Sequence, residues 1–208
     1  MNKARIEALS DGVFAIAMTL LVIELRVPQI SDGGYSMISL WGSLIQLMPM
    51  IASYAVSFTV LAMYWTSHHA MFHFFTKNIN RTMLQINMLY LMFLAFIPFS
   101  TELLGTYPTN KLAIWVYGLN IICIGLVAFG MFIYAQSSKE IEMHDLEHRT
   151  MTQAKIRILL TPAFALVAMV VAFVSVPLSF VLFIFPVIFN FIPGTLNATE
   201  KFLGITIR

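Results

Sequence analysis

The stretch ARIEALSDGVFAIAMTLLVIEL, residues 4–25, decides the fold class of this chain. It has no charged residue between Val13 and Ile23, and its length matches the roughly 20 mostly apolar residues that a helix needs to cross a bilayer. A cleaved signal peptide is disfavoured, because Asp11 interrupts the approach to the apolar run and the A-x-A string at residues 15–17 lies in its middle. We therefore predict a first membrane-spanning helix that stays in the protein.

The rest of the chain has the same apolar character. Of its 208 residues, 59% are hydrophobic and only 11% are charged, and the mean hydropathy is +0.83, whereas soluble domains carry roughly 25% charged residues. A soluble fold of this size cannot bury so much apolar surface, so lipid is the expected solvent. The single cysteine, Cys123, excludes an intrachain disulfide, and a net charge of +2 is too small to indicate nucleic-acid binding.

Six segments have the length and apolarity of membrane-spanning helices. They are predicted at residues 4–25, 49–75, 82–104, 112–136, 156–174 and 178–196. A short interfacial helix is expected at residues 37–46, and the only substantial hydrophilic loop is predicted at residues 137–155. The sequence therefore predicts an all-α integral membrane protein that forms a single six-helix domain over residues 1–208.

Basic residues are distributed unevenly over the predicted loops. With the N-terminus in the cytoplasm, ten of the twelve lysines and arginines lie on the cytoplasmic side, and only Arg26 and Lys111 lie outside. Cytoplasmic loops of membrane proteins carry such an excess of positive charge. Both termini are therefore predicted to be cytoplasmic.

The first span has two chemically different faces. At about 100° per residue, branched aliphatic side chains and one glycine form a stripe, with Thr19 at its edge. The residues of this stripe are Leu9, Gly12, Ile16, Leu20 and Ile23. The opposite side carries Glu7, Asp11, Phe14 and Met18. Aliphatic stripes on membrane helices usually face lipid or a neighbouring helix. Periodicity alone therefore favours one of these two positions over the lining of a pore.

Asp11 needs a partner if it lies within the hydrocarbon region, where unpaired polar groups are costly. His68 and His69 of the second span are expected near the same depth, so an Asp–His or Asp–Arg contact is predicted. A position among the lipid headgroups is the alternative. A metal site at the two histidines is disfavoured, because successive residues of a helix diverge by about 100°. Asn87 and Glu102 of the third span are weaker signals.

No catalytic motif occurs in the sequence. It contains no glycine-rich phosphate loop, no H-E-x-x-H and no G-x-S-x-G. The potassium-channel filter string T-V-G-Y-G is also absent. We therefore predict a protein that is not an enzyme and uses no cofactor.

Three stretches nevertheless carry a family resemblance. RIEALSDGVFAIAMTLL (5–21), YWTSHHAMF (64–72) and NMLYLMFLAFIPFST (87–101) resemble the first three helices of the transmembrane protein 175 family, which comprises the lysosomal potassium channel and its bacterial relatives. The family hallmark is Arg-x-x-x-Phe-Ser-Asp, and this chain departs from it with Leu9 in place of the phenylalanine. The resemblance covers the first half of the chain in motif and the second half in topology only. The short, single six-helix set is similar to a bacterial member.

The resemblance implies a homotetrameric channel in the bacterial inner membrane that passes potassium ions in preference to sodium without a carbonyl filter. The first helix of each subunit is expected to line one pore. Carried over by position, the constriction falls on Ile16, with Leu20 and Ile23 further out, and Thr19 supplies a hydroxyl layer for selectivity. A polar network is expected to hold the first helix to its neighbours. Its residues are Arg5, Ser10, Asp11, His68 and His69.

Two other classes of function stay open from the sequence. The first is a proton-coupled or other secondary ion transporter, in which Asp11, His68 and His69 relay protons. The second is a membrane enzyme or a scaffold that does not conduct ions, although the absence of a nucleophile or metal cluster disfavours the enzyme. Potassium versus sodium flux separates these classes from a channel.

Overall fold

A computed structural model describes residues 2–29, 36–144 and 148–191 of the chain. The regular elements in these ranges are helices, which confirms the all-α class. A π-helical turn, Met71–Phe75, continues the third helix. In chain order the helices are α1 (Lys3–Ile23), α2 (Met37–Gln46), α3 (Met48–Ala70), α4 (Arg81–Ala95), α5 (Ile97–Thr106), α6 (Lys111–Ser137), α7 (His148–Val171) and α8 (Val176–Phe191).

Among the described residues, five helical runs are long and apolar enough to cross a membrane. They are α1, α3 with its π turn, α4 with α5, α6, and α7. Helix α8 covers most of the sixth predicted span but has only 16 described residues, and residues 192–196 of that span lie outside the described part. The six-span count and the cytoplasmic position of both termini therefore stay predictions.

Capping side chains and a first-turn proline explain where several of the helices begin. Asn80 caps α4 by accepting a hydrogen bond from the backbone N–H of Met83 at 2.9 Å, and Asn110 caps α6 by accepting one from the N–H of Leu112 at 2.9 Å. Such caps satisfy amide groups that have no partner inside the helix. Pro49 stands in the first turn of α3, where its missing N–H costs nothing.

The third predicted span is not one continuous helix. It divides at Phe96, where α4 ends and α5 begins. Pro98 causes the division, because it cannot donate the backbone hydrogen bond that an uninterrupted helix requires. The N–H of Phe96 instead bonds the carbonyl of Phe93 at 3.2 Å, in a tighter turn. The two parts together still have the length of a span.

Part of the predicted hydrophilic loop at residues 137–155 is helical. Helix α7 begins at His148, eight residues before the predicted start of the fifth span at residue 156. Its first eight residues are mostly polar, and hydropathy detects where a helix becomes apolar rather than where it begins. Helix α7 therefore extends before the predicted span, and the span boundary at residue 156 stays a prediction.

Two hydrophobic clusters form the interior of the bundle. The larger cluster includes Phe14, Tyr64 and Tyr117, which join α1, α3 and α6. The smaller lies towards the start of α1 and includes Phe72 of the π turn. Helices α6 and α7 approach closely at Gly125, where an added Cβ atom would stand 2.7 Å from Pro162 Cγ. In contrast, α2 has no buried residue, in keeping with its predicted interfacial position.

A short extended segment clasps the end of the π turn. The backbone N–H of Lys77 donates to the carbonyl of Glu142 at 2.7 Å, and the N–H of His144 donates to the carbonyl of Phe75 at 3.0 Å. The ammonium group of Lys3 on α1 donates to the carbonyl of Thr76 at 2.7 Å. The start of α1, the end of α3 and the segment after α6 are therefore joined at one end of the bundle. We call these contacts the clasp.

Candidate functional site

Helix α1 buries one face and leaves the other uncovered. The buried face consists of Ile6, Ser10, Phe14, Ala17 and Leu21. The aliphatic stripe lies outside it, with exposed fractions of 50% for Leu9, 60% for Ile16, 41% for Leu20 and 66% for Ile23. A Cβ atom added to Gly12 would meet no atom within 4 Å. The stripe therefore does not pack closely against the described part of its own chain.

Thr19 lies at the edge of this stripe and is exposed. Its hydroxyl donates within the helix, with the carbonyl oxygens of Ala15 and Ile16 each at 2.9 Å. A hydroxyl has one donor hydrogen and two acceptor lone pairs. Because the hydrogen is used inside the helix, the oxygen presents its lone pairs outward. Such an oxygen suits a cation rather than an anion.

A chain of buried hydrogen bonds holds the opposite face of α1. His68 Nε2 lies 2.8 Å from Asn87 Oδ1, Asn87 Nδ2 donates to Ser10 Oγ at 3.1 Å, and Ser10 Oγ donates to the carbonyl of Ile6 at 2.9 Å. Since the amide oxygen can only accept, His68 Nε2 carries a proton. All three side chains are buried. The chain links α3 to α4 and α4 to α1, and we call it the buried relay.

Asn87 is the central member of the buried relay, although the sequence marked it only as a weak signal. Its two polar atoms face different helices and satisfy both His68 and Ser10. Burying a polar group is costly without such partners. The signal that could have found it was its position on the face of α4 that also buries Met83, Tyr90, Leu91 and Leu94.

The structure places the other predicted network residues apart from this relay. Asp11 is exposed and accepts a hydrogen bond from the indole N–H of Trp65 at 2.9 Å, rather than from a histidine. His69 is exposed and stacks on Trp65, with ring centroids 5.8 Å apart, and on His73, at 5.1 Å. Arg5 is exposed and forms no ion pair with a described residue. The predicted Asp–His contact is therefore replaced by an Asp–Trp contact.

The described ranges contain no group of three or more histidine, cysteine, aspartate or glutamate side chains that could hold a metal ion. The stacked rings of His69 and His73 lie on one face of α3 and its π turn. His68 lies on another face of α3, where it stacks on Tyr90 with centroids 5.4 Å apart. The neighbouring histidines 68 and 69 therefore belong to different environments.

Comparison with known proteins identifies the family. Residues 5–98 match the family model described as the endosomal/lysosomal potassium channel TMEM175. A potassium channel of Streptomyces collinus is 37% identical over 131 residues, which is 61% of each chain. A potassium channel of Chamaesiphon minutus is 32% identical over 181 residues, 86% of this chain and 88% of the relative.

The fold agrees with a solved structure. The crystal structure of a lysosomal potassium-selective channel TMEM175 homolog from Chamaesiphon minutus superposes with a TM-score of 0.76 at 31% identity, over 91% of this chain and 98% of the other. These relatives are channels, so the prediction that the chain is not an enzyme is confirmed. By the family model, by identity over nearly the whole of one relative, and by fold, the chain belongs to the TMEM175 family.

Proposed function

We propose that the chain is a potassium-selective cation channel, a homotetramer in which α1 of each subunit lines one central pore. The observation that carries the proposal is the exposed aliphatic stripe of α1, opposite a face that the buried relay holds. Two relatives named as potassium channels support potassium as the permeant ion. The whole chain, residues 1–208, acts as one domain of this channel.

A single chain cannot enclose a water path with one helix face. Identical subunits arranged around a rotation axis bring the same stripe to the centre from every side, and the family resemblance implies four subunits. Four copies of α1 would then remove Ile16, Leu20 and Ile23 from lipid without any other protein. Ten of the twelve basic residues on one side support a cytoplasmic position for both termini, in the cell membrane of a bacterium.

The pore proposal explains how the aliphatic stripe can close the channel. From Ile16 to Ile23 the helix rises about 10 Å, which makes room for successive apolar rings, the narrowest at Ile16. Narrow apolar constrictions stop ion flow by dewetting. Widening the rings by a small movement of α1 lets water return, so the same residues serve as constriction and gate.

Selectivity in this pore has to come from side chains. Helix α1 is α-helical from Lys3 to Ile23, so its carbonyl groups up to Thr19 bond within the helix and do not face the pore axis. An aliphatic ring forces an ion to shed part of its hydration shell, and this costs more for sodium than for potassium. The outward lone pairs of Thr19 partly replace the lost water. Together these effects favour potassium.

The buried relay has a mechanical role in this proposal. Its hydrogen bonds hold the back of α1 against α3 and α4, so that the stripe keeps its orientation towards the pore axis. The same contacts disfavour the transporter alternative. Asp11 and His68 make separate contacts, to Trp65 and to Asn87 respectively, and so do not form a continuous path for protons.

Flux through liposomes that contain only the purified protein tests the proposal. We expect a potassium gradient alone to set up a membrane potential, and potassium to pass faster than sodium. Protein-free liposomes are the control. Transport that needs a proton gradient, or equal rates for both ions, would contradict a potassium-selective channel. A purified protein that stays monomeric by native mass spectrometry in mild detergent would contradict the shared pore.

A further inference from the structure

A crevice of about 200 Å³ opens between α3, α7 and α8, away from the aliphatic stripe of α1. It is a separate feature from the proposed pore. Its wall combines one cation with hydroxyl, amide and apolar groups. The lining residues are Met63, Thr66, Ser67, Ala70, Arg157 and Asn190.

Arg157 supplies the positive charge of this crevice. Its guanidinium donates one hydrogen bond, to the backbone carbonyl of Asn190 at 3.0 Å, and the residue is half-buried. No described carboxylate lies within ion-pair distance of it; the ion pair in the described part of the chain joins Lys3 and Glu7. A guanidinium has five N–H donors, and charges in apolar surroundings are normally paired. Arg157 therefore presents to the crevice a charge that no described carboxylate balances.

Ser67 of α3 adds a hydroxyl to the wall of the crevice. Within the described ranges this hydroxyl forms no hydrogen bond, and the residue is exposed. Its neighbour Thr66 donates to the carbonyl of Ala62 at 2.8 Å, so its hydrogen is already used. Within the described ranges Arg157 and Ser67 thus offer free donors, while Met63 and Ala70 line the crevice with apolar groups. This combination suits an anionic oxygen group attached to a hydrocarbon chain.

The depth of the crevice fits the boundary between headgroups and acyl chains. Ser67 lies eight residues before the end of the run Met48–Phe75, and Arg157 lies nine residues after His148. At 1.5 Å per residue these positions are about 12–14 Å from the helix ends. Both ends lie on the same side of the bundle, because the clasp joins Phe75 to the segment before α7. Arginine side chains at this depth extend towards headgroups.

We propose that this crevice binds the headgroup of an anionic phospholipid. The phosphate accepts hydrogen bonds from the guanidinium of Arg157 and the hydroxyl of Ser67, and an acyl chain lies against the apolar part of the crevice wall. The proposal is independent of which ion the protein conducts. It requires only that the chain sits in a membrane.

Native mass spectrometry of the full-length protein tests this site. The protein is titrated with phosphatidylglycerol, phosphatidylcholine or inorganic phosphate, and bound molecules per chain are counted. We expect one tightly held phosphatidylglycerol per chain and about tenfold weaker binding in Arg157→Gln, because a charge-assisted contact is lost. Lys155→Gln is the matched control: it removes one charge from the same helix two residues earlier, on a different face, and should bind like the wild type.

Ser67→Leu is a second variant that leaves Arg157 in place. It removes the hydroxyl and narrows the crevice at an exposed position, so we expect weaker phosphatidylglycerol binding even if Arg157→Gln fails to fold. Equal binding to the wild type and to both crevice variants would overturn the proposal. Equal binding of phosphatidylglycerol and phosphatidylcholine would also overturn it, since charge would then play no part. Competition by inorganic phosphate at the lipid's own concentration would assign the site to a free anion instead.

Discussion

The two faces of α1, a helix of 21 residues, differ in what holds them in place. The inner face is held by the directional hydrogen bonds of the buried relay, whose partners lie at 2.8–3.1 Å. The outer stripe is aliphatic and touches little of its own chain. A face held by polar contacts resists sliding and rotation, whereas an aliphatic face adapts to whatever covers it. We infer that mutations on the inner face should mainly lower stability, and that mutations on the outer stripe should mainly change permeation.

The largest loss of stability is expected at the centre of the inner face. Asn87→Leu leaves the N–H of His68 without an acceptor, and one stranded buried group costs about 1–3 kcal/mol. We expect a clearly lower unfolding temperature, measured by tryptophan fluorescence in detergent. Protein that still folds should keep its ion preference. Gln85→Leu, which removes an exposed amide from the same helix, is the control. If both variants unfold alike, the relay does not stabilise α1.

A smaller loss is expected where Asp11 accepts the indole hydrogen bond of Trp65. Both side chains are exposed, so removing the bond should cost about 1 kcal/mol. Asp11→Ala and Trp65→Phe, alone and together, form a double-mutant cycle measured by unfolding in detergent. The double variant should lose less than the sum of the single ones. Strict additivity would mean that the contact contributes nothing to stability.

On the outer stripe, Ile16→Ala should change permeation more than stability. The side chain is exposed within its own chain, so we expect a change of about 0.5 kcal/mol or less in unfolding free energy. Because the ring is trimmed in every subunit at once, conductance should rise and the preference for potassium should fall. Both are measured in planar bilayers with mixed potassium and sodium solutions.

Met18 provides the matched control for Ile16 on the same helix. It is partly buried and packs against the larger hydrophobic cluster. Met18→Ala should therefore lower stability and leave ion preference unchanged. The reverse pattern, in which Met18→Ala alters selectivity and Ile16→Ala only destabilises, would invert the assignment of the two faces.

The smallest change in stability is expected for Thr19→Val. The two side chains have nearly the same shape, and the lost hydroxyl bonds only its own helix, where such bonds contribute little. Selectivity for potassium should nevertheless fall, because the outward oxygen is removed. Thr59→Val is the control, since Thr59 on α3 makes the same kind of bond, to the carbonyl of Ala55. A selective Thr19→Val channel would assign selectivity to the aliphatic rings alone.

Much of this arrangement could be predicted from the sequence, because apolar length and helical period are local properties. The stripe from Leu9 to Ile23 followed from spacing alone, and its exposure agrees with that spacing. The break at Phe96 was missed because Pro98 stands inside an otherwise continuous apolar run. The partners of Asp11 and His68 were missed for another reason. A helical wheel orders residues around one axis but gives no distance to a second helix. The wheel of α1 therefore could not show that Asp11 contacts Trp65 rather than a histidine, or that His68 contacts Asn87.

The clasp also constrains how the protein is made. Its backbone hydrogen bonds join residues 75–77 to residues 142–144, so they cannot form until a nascent chain has grown some 65 residues beyond the π turn. At about 5–20 residues per second, this delay lasts roughly 3–13 seconds. During that time the N–H of Lys77 and the carbonyl of Phe75 lack the backbone partners that they have in the folded protein. Translation of α6 therefore precedes the closing of the clasp, whereas the buried relay joins Ser10, His68 and Asn87 and needs no residue beyond α4.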